Sequence, residues 1–155
     1  MTVKAIVQQQ YRSKVDNAAA SLNGLKTPPE GWMRTVRTAL GMSGSDVAKK
    51  MGVTRARITK VEHAELTGGV TLKSMQVMAE AMGCQFVYAI IPSSGHVEDL
   101  IAAQARKKAT AIVETASKHM ALENQTLPDE NITQEIERLT REITQEMPSD
   151  FWNDK

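Results

Sequence analysis

The chain has 155 residues, 41% apolar and 24% charged, with one cysteine and a formal net charge of +1. That composition suits an ordinary globular protein. It excludes a disulfide scaffold and a cysteine zinc centre, because Cys84 has no second cysteine to join. A reducing cytoplasm is the expected compartment. No apolar run approaches the roughly 20 residues that span a membrane. Residues 1–12 lack the apolar core expected of a secretory signal.

The near-neutral total hides an asymmetry. Residues 26–73 carry nine Lys/Arg against four acids, and residues 125–155 carry three against eight. The first is a candidate anion-binding half and the second an acidic half facing something else. Two solvated faces that attract each other account for the same split.

Residues 3–22 read as a helix with Ile6, Val7, Val15, Ala18, Ala19 and Leu22 as a loose apolar stripe, ended by Asn23-Gly24. Residues 26–31 form a stiff linker, because Pro28-Pro29 cannot continue a helix. Four short helices are expected between Trp32 and Met82. The first carries Met33, Val36 and Leu40 inward and stops at Gly41. The second is capped by Ser43, buries Val47, Ala48 and Met51, and stops at Gly52. The third is capped by Thr54, runs over 55–62 with Ile58 and Val61 inward, and places His63 at its end. The fourth is capped by Thr71, with Leu72, Met75, Met78, Ala79 and Met82 inside and a stop at Gly83.

Residues 85–91 (Gln-Phe-Val-Tyr-Ala-Ile-Ile) are β-branched and aromatic and end at Pro92, so they read as a strand. A lone strand leaves its backbone groups unpaired. Its most economical partner is the same strand of a second copy, which implies a homodimer held by Phe86, Val87, Tyr88 and Ile90. Pairing with residues 2–8 is the alternative. Two further helices are expected, over 96–123 and from Asp129 to Met147. Phe151-Trp152 follows as an apolar plug. The expected fold class is all-α, a bundle of short helices with one short strand and a C-terminal helical extension. The expected divisions are 1–25, 26–92 and 93–155.

Two short helices joined by a tight turn, the second bearing cations, form the pattern of a helix-turn-helix. With Ile58 and Val61 inward, a 100° step per residue turns Ala56 and Lys60 outward, flanked by Arg57 and Thr59. Arg57 and Lys60 suit guanine O6/N7 or phosphate, while Thr59 and the Ala56 methyl suit thymine methyls. Thr54 and Arg55 open that helix. The backbone N–H groups at Ser43, Gly44 and Ser45 suit a phosphate, and Lys49, Arg34 and Lys73 are candidates for others. Solvated cations on a bundle would look similar one at a time; their joint spacing favours duplex DNA as the partner.

The stretch Arg37-Thr-Ala-Leu-Gly-Met-Ser43, with Asp46 to Glu62, resembles the Xre/Cro-type helix-turn-helix. That resemblance implies a λ-repressor-like helix-turn-helix bundle and an Arg37–Glu62 ion pair of structural role. Gly44 departs from it, standing where that family often has glutamine. Pro29-Glu-Gly-Trp32, residues 71–74, Gly83–Pro92, Met120–Gln125 and Phe151-Trp152 resemble the mobile mystery protein A family. Its members are Xre-type proteins typically encoded beside a Fic-domain protein, so the resemblance implies a Fic-type toxin as a second partner. Fic inhibitory helices follow Ser/Thr-x-x-x-Glu-Gly/Asn, and His119-Met-Ala-Leu-Glu123-Asn124 matches the Glu and Asn but not the first position. A carboxylate there would hold an arginine that otherwise serves ATP. A common helix end gives the same pattern.

His63, His96 and His119 are scattered without metal-ligand spacing. Residues 41–45 do not form a nucleophile elbow, and residues 67–73 lack phosphate-loop order. Neither an enzyme, a cofactor nor a metal is expected. The expected function is a sequence-specific repressor of its own operon and an antitoxin of a Fic-type AMP transferase. The alternatives are a protein-interaction inhibitor without a DNA role, or a regulator without a toxin partner.

Overall fold

A computed structural model describes residues 2–124 and 127–154 of the chain. Among them are seven α-helices: α1 (Val3–Ser21), α2 (Trp32–Ala39), α3 (Gly44–Met51), α4 (Arg55–Thr67), α5 (Leu72–Ala81), α6 (Val97–Leu122) and α7 (Asp129–Glu146). They fall into two compact units. One comprises Leu22–Ala89, and the other takes α1 with the described residues from Ile90 onward. Gln125, part of one family-like stretch, lies outside the described residues.

The Leu22–Ala89 unit holds α2 to α5. Its helix starts are local chemistry: Ser43, Thr54 and Thr71 accept the backbone N–H of Asp46, Arg57 and Ser74 at 3.1, 3.2 and 3.1 Å. Ser43 and Asp46 form a reciprocal capping box, the Ser43 N–H donating to Asp46 Oδ2 at 2.8 Å. Gly52 closes α3 in the left-handed region at φ 68°. The inward side chains merge into one core of Met33, Val47, Ala48, Ile58, Val61, Met75, Met78 and Met82. Methionines fill much of it, as flexible side chains do where short helices meet at varied angles.

α2 begins differently. Gly31 precedes it with no capping side chain, and the cap comes from Glu65 on α4. The N–H groups of Trp32 and Met33 donate to Glu65 Oε2 and Oε1 at 2.6 and 3.0 Å. A carboxylate at a helix N-terminus also faces the positive end of its dipole.

The second unit is built on α6 and α7. Ile101, Ala105, Ala109, Ile143 and Phe151 are buried together, with Val97, Ile136, Leu139 and Met147 around them. Two alanines one turn apart keep α6 thin where α7 crosses. Gln104 Nε2 donates to the Phe151 carbonyl at 2.8 Å, fixing the C-terminal turn over this core. Asp16 of α1 accepts the Val97 N–H at 3.0 Å, serving as a distant cap for α6. None of the described helices is long and apolar enough to cross a membrane.

Several expectations are corrected. The strand at 85–91 is not formed in the single chain. A strand exists only through a shared ladder, and these residues make no backbone hydrogen bond to any described residue. Residues 2–8 offer no edge to it, because α1 is helical from Val3. α4 runs on to Thr67 rather than ending at His63, because no breaker occurs before Gly68. Leu40 and Leu72 are exposed rather than inward, and no α1 residue is fully buried. Phe151 is the plug; Trp152 stacks edge-on against it and stays exposed.

Gly31 sits at φ 85°, ψ 158°, a region nearly closed to other residues. A Cβ there would lie 2.9 Å from Glu65 Cδ. Gly31→Ala should therefore lower stability by about 2 kcal/mol or more. Gly52→Ala, where no atom lies within 4 Å of the added Cβ, should cost only about 1 kcal/mol of left-handed strain. Urea titrations of both variants check the order.

Candidate nucleic-acid interface

α4 carries two faces. Ile58 and Val61 are 1% and 8% exposed, whereas Arg55, Ala56, Arg57, Thr59, Lys60 and His63 are all exposed. The buried pair orients the whole helix, so the small and cationic side chains stand outward. His63 belongs to this outward face, one turn beyond Thr59 and Lys60. The sequence expectation places it at the helix terminus, whereas α4 continues to Thr67. The unbroken run to Gly68 was the signal that could have found it.

α3 comes before α4 across the turn at Gly52 and Val53. Its opening turn holds Ser43, Gly44 and Ser45 as expected, but their roles differ. Ser43 is engaged by the capping box. The N–H groups of Gly44 and Ser45 make no hydrogen bond to any described residue, so they are the donors available to an anion. The exposed Asp46 carboxylate shares that turn and opposes an anion there. Ser43 hydrogen bonds hold Asp46 below the ordinary aspartate range.

Gly44 leaves room that a neighbour uses. A Cβ on Gly44 would lie 3.7 Å from Arg55 Cγ and 3.8 Å from Arg55 Nε. The Arg55 side chain thus lies across the opening of α3, where the resembling family places glutamine. Lys49 on α3, and Lys73 in the first turn of α5, are exposed. Arg34 on α2 is exposed too.

Behind this surface, Arg37 Nε meets Glu62 Oε1 at 2.6 Å and Arg37 Nη2 meets Glu62 Oε2 at 3.3 Å. Arg37 Nη1 also donates to the Met42 carbonyl at 3.1 Å. The Arg37 and Glu62 side chains are 17% and 13% exposed. Glu62 raises the Arg37 pKa by hydrogen bonding. It ties α2 and the loop before α3 to the middle of α4.

The other expected site residues lie elsewhere. His119 is in the last turn of α6, Glu123 follows as its cap, and Asn124 is left-handed at φ 58°. All three are exposed. Phe86, Val87, Tyr88 and Ile90 lie in the irregular segment after α5. No group of three or more His, Cys, Asp or Glu residues able to hold a metal occurs among the described residues.

Residues 33–88 match the family described as Helix-turn-helix (HTH_3), just over a third of the chain. That match supports a DNA-binding regulator, and the segment is a helix-turn-helix domain. No curated protein and no solved structure matches the chain.

The lowered Asp46 pKa makes a signed prediction. A carboxylate depressed on folding stabilises the fold above its ordinary value of 3.8 and loses that contribution as pH falls through the folded value. Wild type should therefore lose more stability than Asp46→Asn as pH drops from about 5 toward 2.5. Denaturant midpoints across that range measure the difference.

Proposed function

We propose that this protein is a non-enzymatic, sequence-specific DNA-binding repressor acting in the cytoplasm. The observation that carries the reading is the outward face of α4: Ala56, Thr59, Lys60 and His63 in a row, with Arg55 and Arg57 beside them. A face of that size and charge suits the major groove. Gly44 and Ser45 N–H groups, Arg55, Lys49 and Lys73 would meet phosphates.

Two copies would place two α4 helices in successive major grooves of a near-palindrome, with half-sites about 10 bp apart. Support for a pair comes from residues 85–91, whose apolar side chains are largely exposed and whose backbone lacks partners among the described residues. Binding of its own promoter would then block transcription.

Gel shifts with the upstream DNA test this. Lys60→Ala and Arg57→Ala should weaken binding by about 1–3 kcal/mol where the contact is to a base. Where it is to a phosphate, each should lower the salt slope by about 1. Binding equal to the parent in both would remove this face of α4 from the interface.

A second reading adds inhibition of a Fic-type AMP transferase. It is favoured by one observation: the Glu123 side chain is exposed at the end of α6 and makes no bond with a described residue, so it is free to pair with an arginine. Asn124 needs no such partner, since its left-handed cap already accounts for it. The acidic face of α7 is partly engaged within itself, because Glu135 and Glu142 both pair with Arg138. On co-expression with the neighbouring gene product, Glu123→Ala should restore AMP transfer. Unchanged inhibition would remove Glu123 from the contact.

A further inference from the structure

The segment after α5 is bounded on both sides. The Cys84 N–H is engaged by the Ala79 carbonyl at 2.8 Å, closing α5. Pro92 has no N–H to offer. Between them stand residues 85–91, without a backbone hydrogen bond to any described residue. The Phe86 and Tyr88 rings stack with centroids 5.7 Å apart, so alternate residues share a side, as in an extended chain. Ile90, two residues further on, is 91% exposed, the most of any large apolar side chain described.

The start of the segment borders a hollow that Gln85, Phe86 and Val87 all line. A cavity of about 370 Å³ is walled by Trp32, Met33, Val36, Met75, Met82 and Phe86 among others. Its lining is apolar, so water gains little there. The occupant must satisfy a free backbone edge and an apolar cavity together, and another copy of the same segment offers both complements.

Symmetry restricts how two copies pair. In an antiparallel ladder, residues directly opposite point to the same face. A two-fold axis through the ladder keeps each face, while successive residues alternate between faces. One residue must therefore stand opposite its own copy. The free segment runs from 85 to 91, and its midpoint is Tyr88.

We propose that the chain dimerises by antiparallel pairing of residues 85–91 centred on Tyr88, so that Ile90 of the partner subunit lies opposite Phe86 and covers the apolar cavity beside it. Val87 then faces Ala89 of the partner subunit on the other side of the ladder, and Gln85 faces Ile91 of the partner subunit. This rests on the homodimer reading above and gives it a register.

The test is sedimentation together with oxidative cross-linking in a Cys84→Ser background. The parent should sediment as a dimer. Tyr88→Cys should form disulfide-linked dimer on the order of tenfold faster than Val87→Cys or Ala89→Cys, since only position 88 meets itself at bonding range. Ile90→Asp, at a fully exposed position, should keep its helical circular dichroism and sediment as a monomer. A dimer that cross-links fastest at 87 or 89 overturns the register while the dimer stands. A dimer indifferent to Ile90→Asp overturns the cavity contact. A monomeric parent overturns the register and the dimer reading alike.

Discussion

Everything that α4 presents to solvent depends on the burial of Ile58 and Val61. Two apolar side chains three residues apart fix the rotation of a helix, because turning it would expose both and bury charge in their place. Burying an aliphatic side chain is worth about 1.5–3 kcal/mol, and burying an unpaired cation costs more than that. The core of Val47, Ala48, Met75 and Met78 receives them. The face bearing Lys60 is thereby set from behind, by the two buried residues on the other side of the helix.

The arrangement divides labour along the chain. Caps at Ser43, Thr54 and Thr71 start each helix locally. Long-range ties then set the angles between helices, and these come from acids on α4: Glu62 to Arg37 and Glu65 to the start of α2. In the other unit, Asp16 and Gln104 do similar work for α6 and the C-terminal turn. Cores of short helices and methionines are adaptable, so polar ties of fixed geometry supply the uniqueness that packing alone leaves loose.

What could be read from the residues follows the range of the forces involved. The caps and glycine stops act within four residues, and they were legible. The inward positions of Ile58 and Val61 follow from helical spacing and were legible too. The Arg37–Glu62 pair came from a family resemblance, not from spacing. The Glu65 cap joins positions more than thirty residues apart and has no local signature, except that α2 lacks a capping residue of its own. Residues 85–91 carry a strand's composition, yet composition cannot supply the neighbour that a ladder requires. Leu40 and Leu72 fit the helical stripes but are exposed, Leu40 following the last residue of α2 and Leu72 opening α5.

α4 extends well past the part suited to a groove, and its two ends are unequally placed. The leading turns hold the outward cations, while the trailing turns, through Glu62 and Glu65, grip α2. The same rod thus joins a probe to its mounting. Loosening the mounting would change the pitch at which the probe is held, so a sequence change at Glu65 would tilt the outward face of α4 without altering any residue on it.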